Sequence, residues 1–142
     1  MDAVRLADGL WRWTTPQVGG VYYEAPDAVV LFDPLLPAGE EERFLAYLDS
    51  DVERLGLPVS ILLTTPRAER STPVLRERYH AVNRVPATVE AFPLDGPQAD
   101  QLAYFVRPHG ALVVAELASW PAAIYEIPVE LVLVTDPAGS SY

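Results

Sequence analysis

The stretch ILLTTPRAERST, Ile61 to Thr72, decides how the rest of the chain reads. With Val59 and Ser60 ahead of it, it begins as an apolar run without alternation, the pattern of a strand buried on both faces and so central in its sheet. It then turns polar and reaches Ser71 and Thr72, either of which can cap a helix that has Pro73 in its first turn and runs to about His80. A strand that gives way to a polar turn and a helix start is a junction where enzymes place chemistry. This one delivers Thr65-Pro66-Arg67-Ala68-Glu69-Arg70.

Toward the N-terminus the segments VRLADGLWRWT, GVYYEA and AVVLFD read as a meander of strands joined by tight turns. Between them and the central strand, Phe44, Leu45, Leu48, Val52 and Leu55 recur at spacings of three and four behind Glu40-Glu41-Glu42 and ahead of Gly56 and Pro58. That pattern predicts an amphipathic helix with conventional ends. Toward the C-terminus AVNRV reads as a short strand, and the helical signal fades past Pro86. QLAYFV, GALVVAE and VELVLVT read as three further strands, the first two joined by the turn RPHG and the last reached through SWPAAIYEIP.

The chain of 142 residues is half hydrophobic, and no linker rich in Gly or Ser interrupts it, so a single domain spanning residues 1–142 is expected. No apolar run is long enough to span a bilayer, and MDAVRLADGLWRW lacks the layout of a signal peptide, which reads as cytoplasmic. There is no cysteine, which excludes disulfides and thiolate metal sites. A formal net charge of −10 repels a phosphate backbone, so neither nucleic acid nor an anionic membrane is an expected partner. No nucleophile elbow, phosphate-cradling glycine loop or dinucleotide fingerprint is present, and only His80 and His109 could serve as an imidazole base.

Taken together, the opening strands ending in VVLFDP, the helix, ILLTTPRAERS, the hairpin QLAYFVRPHGALVVAEL and the last strand ELVLVTDPAG resemble the metallo-β-lactamase fold, in order and over most of the chain. The resemblance implies an α/β protein, a shortened αββα sandwich of two packed mixed sheets with helices outside. Carried over position by position, it places the family's first metal-binding histidine on Thr65, the second on Arg67, the aspartate of that motif on Glu69 and its adjacent histidine on Arg70. The third histidine falls near Pro97, the bridging aspartate on Glu116 and the last histidine on Asp136. Asp33, a supporting aspartate in the family, is kept.

Zinc sites of that kind need neutral imidazoles and carboxylates, with one position left for an activated water. Arginine stays protonated and offers only donors. The expectation is therefore a metal-free, cofactor-free, catalytically degenerate protein of this fold, a binding or assembly module. In it Arg67 and Arg70 supply the positive charge a metal would bring to Asp33, Glu69, Glu116 and Asp136. The alternative is a rebuilt hydrolase, with those four carboxylates holding a hard cation or working as acid and base.

Plainer readings stand beside these. Arg67 and Arg70 suit a solvated loop, an ion-pair network or an anion pocket. Asp33 before Pro34 suits a turn that caps local N–H groups, and Glu116 and Asp136 suit the first solvated positions after a strand. The aromatic residues Trp11, Trp13, Tyr22 and Tyr23 suit either core or a ligand groove. Finally, the little helical material after Glu116 predicts an uncovered sheet face, and with it a homodimer formed through the segment Trp120 to Pro128.

Overall fold

Four-residue runs such as Val29-Val30-Leu31-Phe32, with no polar side chain, can be satisfied only where both faces of a strand are covered. A computed structural model of the chain describes residues 2–14, 19–94, 101–116 and 122–136, and in it that run is wholly buried. The chain forms β1 (Asp2–Ala7), β2 (Leu10–Thr14), β3 (Gly19–Glu24) and β4 (Val29–Phe32), then helix α1 (Glu41–Leu55) and β5 (Val59–Leu62). Helix α2 (Thr72–Tyr79), β6 (Val89–Leu94), β7 (Gln101–Val106), β8 (Ala111–Val114), the short α3 (Ala122–Tyr125) and β9 (Leu131–Val134) follow.

Two mixed sheets result. The first has the order β1-β2-β3-β4-β5 and is antiparallel apart from the parallel pair β4 and β5. The second has the order β6-β7-β8-β9, with β8 and β9 parallel. Strand alternation then sorts each run between two layers. Val21, Tyr23, Val30 and Phe32 face Tyr104, Val106, Val113 and Leu133 between the sheets. Tyr22, Leu31 and Ile61 face outward onto Leu48 of α1 and Leu75 of α2. Ala103, Phe105, Leu112 and Val114 form the outer layer of the second sheet, where Ile124 of α3 covers them. Each large side chain buried in this way contributes about 1.5–3 kcal/mol relative to exposure. The arrangement is the α/β sandwich the sequence predicts, with helices outside.

Helix α1 ends as its sequence implies. Gly56 takes φ 64°, and its N–H donates to Val52 O. Helix α2 begins differently: the Ser71 hydroxyl accepts from Leu36 N–H at 2.8 Å rather than capping its own helix, and so ties the helix start to the segment after β4. At Gly20 a Cβ would lie 2.3 Å from the Trp13 ring. Only glycine lets the indole lie against β3, where its ring is tilted at 51° to that of Phe44 of α1 with centroids 5.1 Å apart and its N–H donates to Leu35 O.

Five local expectations are corrected. Strand β5 is buried on both faces but stands at the edge of its sheet rather than at the centre, since α1 and α2 cover a face and not an edge. The outer face of the second sheet is not uncovered, because Ile127 and Val129 pack there beside Ile124 and leave Ala103, Phe105, Leu112 and Val114 buried. AVNRV makes only an isolated bridge between Ser60 and Val82, because the Ser60 hydroxyl takes the Arg84 carbonyl and Val82 and Val85 remain exposed. A strand the sequence reading passed over, β6, pairs with β7 at the edge of the second sheet. The connection SWPAAIYEIP holds the single turn of α3. Among the described residues, no helix is long and apolar enough to cross a membrane.

Candidate functional site

At one end of the sandwich the parallel pairs β4/β5 and β8/β9 both finish, and β3 and β7 begin. Ligand sites in α/β folds sit beyond the carboxyl ends of such parallel strands. The residues gathered here are Gly19, Asp33, Thr64, Arg70 and Thr135, drawn from both sheets and from the turn after β5.

Asp33 is completely buried at the end of β4. Its carboxylate accepts from Thr64 N–H at 2.8 Å, from the Thr64 hydroxyl at 2.6 Å and from the Thr135 hydroxyl at 2.6 Å. Burial pushes the carboxyl above the usual aspartate range, while the bonds from Thr135 and Thr64 and the charge of Arg70 pull against it. The phenol of Tyr104, which donates to Leu63 O at 2.8 Å, is held protonated first by burial and then by the charge of Asp33.

Arg70, half-buried, lies over this cluster. Its Nη1 donates to Gly19 O and to Asp33 O, each at 2.7 Å, and its Nη2 donates to Thr135 O at 3.1 Å. One guanidinium therefore joins the start of β3, the end of β4 and the end of β9. Gly19 N–H donates to Thr135 O and Leu102 N–H to Thr64 O, so backbone bonds close the same corner between the sheets. Asp33 and Arg70 both take left-handed backbone conformations, φ 49° and 50°, outside the usual range for residues with a Cβ. Such conformations persist only where surrounding contacts hold them, and they cluster at functional sites.

The remaining predicted positions separate. Thr65 is buried beside Thr64, and Asp136 is buried with its N–H donating to Ala115 O. Glu69 is exposed and Glu116 half-buried. Arg67 has its backbone in the single 3-10 turn Pro66–Ala68, and Pro97 lies outside the described residues. The sequence reading missed Thr64, Thr135 and the Gly19 carbonyl. The signal for the threonines was their position, each directly after an apolar run at a strand end. His80 caps α2 with φ 51°, and His109 meets Tyr23 edge-on at 5.7 Å toward the opposite end of β3.

The donor set does not fit a zinc ion. The corner presents a guanidinium, two hydroxyls and one carboxylate already holding three donors. Among the described residues no group of three or more His, Cys, Asp or Glu side chains is placed to hold a metal. No step through zinc can be derived from these residues.

Comparison with solved structures identifies the fold. The chain superposes on VMB-1 with a TM-score of 0.64 at 12% identity, covering 95% of this chain and 88% of that one. On the DIM-1 metallo-β-lactamase the TM-score is 0.56 at 10% identity, covering 95% and 88%. An NDM_FIM-1-like metallo-β-lactamase from Erythrobacter litoralis, in its mono-zinc form, gives 0.54 at 14% identity, covering 86% and 72%. No family model and no curated protein matches the sequence. The chain has the metallo-β-lactamase fold, and at these identities the likeness defines architecture alone.

Proposed function

We propose that this is a catalytically degenerate, metal-free protein of metallo-β-lactamase fold that works as a binding or assembly module. One observation carries the reading: the Arg70 guanidinium is fixed on three main-chain carbonyls at the corner where the parallel strands end. A permanent monovalent cation there repels a dication, and its charge partly offsets the burial of Asp33. The reading in which carboxylates hold a hard cation needs Asp33, Glu69, Glu116 and Asp136 to converge. The exposure of Glu69 and the three donors on Asp33 weigh against it.

Assembly is proposed through the segment Trp120 to Pro128, of which the residues from 122 onward are described. Ile124 is buried against the second sheet while the neighbouring Tyr125 is 71% exposed. The outer residues of that sheet are already buried within one chain, so what a second copy would cover is the exposed side of α3 around Tyr125.

Two measurements on the purified chain test the reading together. Added zinc, magnesium, calcium or manganese should leave the melting temperature unchanged, and sedimentation at micromolar concentration should give a dimer. A rise in melting temperature with any of these ions, abolished by Glu116→Ala, would support the carboxylate site instead. A monomer would remove the assembly role.

A further inference from the structure

On the outer face of the first sheet, a cavity of about 400 Å³ opens between β1, β2 and α1. This is within the size range of small-molecule sites. Its walls are aromatic: Trp11 and Trp13 from β2, Tyr22 from β3, and Phe44 and Tyr47 from α1, with Asp51 at one end. Strand alternation puts Trp11, Trp13 and Tyr22 on this face, and helical spacing brings Phe44, Tyr47, Leu48 and Asp51 onto the facing stripe of α1. Trp11 is 38% and Tyr47 64% exposed, so the mouth is open to solvent.

The polar end of the cavity carries a net negative charge. Arg54 donates to Glu24 at 2.7 Å and to Asp51 at 3.1 Å, so two carboxylates share one guanidinium. The Tyr22 hydroxyl also donates to Glu24, at 2.7 Å, which fixes that ring. Arg12 also lines the cavity, but it sits between Trp11 and Trp13 in β2, and strand alternation directs its side chain toward the face opposite theirs. Aromatic faces attract cations through their quadrupoles, most strongly when water is excluded. Arg43 already lies 6.0 Å from the centroid of the Tyr47 ring. The chain's net charge of −10 adds a field that draws cations and repels anions.

From these observations we infer that the cavity under α1 binds a small organic cation: an apolar, ring-sized body seated among Trp11, Trp13, Tyr22 and Phe44, with its ammonium group at Asp51. The site is independent of the Arg70 corner and stands whether or not that corner can take a metal.

The test is calorimetric titration of the whole chain with 2-naphthylmethylammonium, using 2-naphthoate as the anionic isostere. The expected result is one saturable site per chain for the amine and none for the acid. Asp51→Asn should weaken the amine by about tenfold while leaving the circular dichroism spectrum unchanged. Ala3→Trp, at an exposed edge position lining the cavity, should abolish binding by filling it. Should that variant misfold, Trp11→Ala, from the half-exposed rim, should weaken binding instead. Equal binding of acid and amine, unchanged affinity in Asp51→Asn, or no saturable binding of either probe would each overturn the inference. So would sedimentation showing that Ala3→Trp converts a dimer to a monomer, since this face would then belong to a second copy.

Discussion

Replacing Arg70 with alanine is expected to lower the free energy of unfolding by about 3 kcal/mol, the scale on which breaking a partly desolvated charged network destabilises a protein. The variant removes donors from the carbonyls of Gly19, Asp33 and Thr135 and withdraws the positive charge that opposes burial of the Asp33 carboxylate. Backbone strain does not enter, because alanine and arginine are equally disfavoured at φ 50°. For a chain of this size the change corresponds to a fall of roughly 10 °C in melting temperature. Arg70→Lys should recover less than half of it, since an ammonium on a flexible stem cannot hold three carbonyls in the forked geometry of a guanidinium. Urea unfolding of the three proteins measures this directly. A loss below about 0.5 kcal/mol, the range of ordinary surface substitutions, would show that Arg70 merely rests on the corner.

The second large effect is expected at Asp33. Asp33→Ala leaves Thr64 N–H and the Thr64 and Thr135 hydroxyls without their acceptor inside a buried corner. Each orphaned group costs about 1–3 kcal/mol, less where a hydroxyl can rotate to another carbonyl, as Thr135 can toward Val114 O at 3.5 Å. A total near 4 kcal/mol is expected, close to the full stability of many domains of this size. Asp33→Asn should cost much less, because its carbonyl keeps the Thr64 N–H bond and asparagine tolerates the left-handed backbone at φ 49°.

The pH dependence gives the same pair of proteins a second readout. Burial raises the Asp33 carboxyl, so the folded state keeps a proton that the unfolded state releases as the pH climbs past the ordinary aspartate value of about 3.9. In that window the unfolded state binds fewer protons than the folded one. Wild type should therefore lose stability relative to Asp33→Asn with rising pH, levelling off above the raised folded value. A gain over the same window would mean that the threonines and Arg70 outweigh burial.

The elements legible in the sequence were those with strong periodicity. The meander and the strand after α1 could be read because Val29–Phe32 and Val59–Leu62 are buried on both faces and carry no competing pattern, but burial of both faces did not make Val59–Leu62 central: it is an edge strand. Helix α1 could be read from its apolar stripe and its Gly56 end. Strand β6 was hidden by Pro93, which signals against a strand; it is tolerated because β6 is the edge strand of its sheet. AVNRV misled because a short apolar alternation can be answered by one bridge and one side-chain bond.

At the site, the resemblance implied that arginine stands at positions where the fold's family has histidine. It did not show what Arg70 does. Its partners are main-chain carbonyls at separations of 51, 37 and 65 residues, which no side-chain pattern encodes. Thr64 and Thr135 were unremarked for a related reason, since a threonine at the end of a strand is chemically ordinary until a buried carboxylate is placed between two of them.

The central claim is that Arg70 and its carbonyls occupy the corner in place of a metal. Elemental analysis of the native protein, purified without chelators, tests it most directly. The account predicts zinc and other divalent metals well below one ion per chain. One ion or more per chain, lost together with stability on dialysis against a chelator, would contradict it.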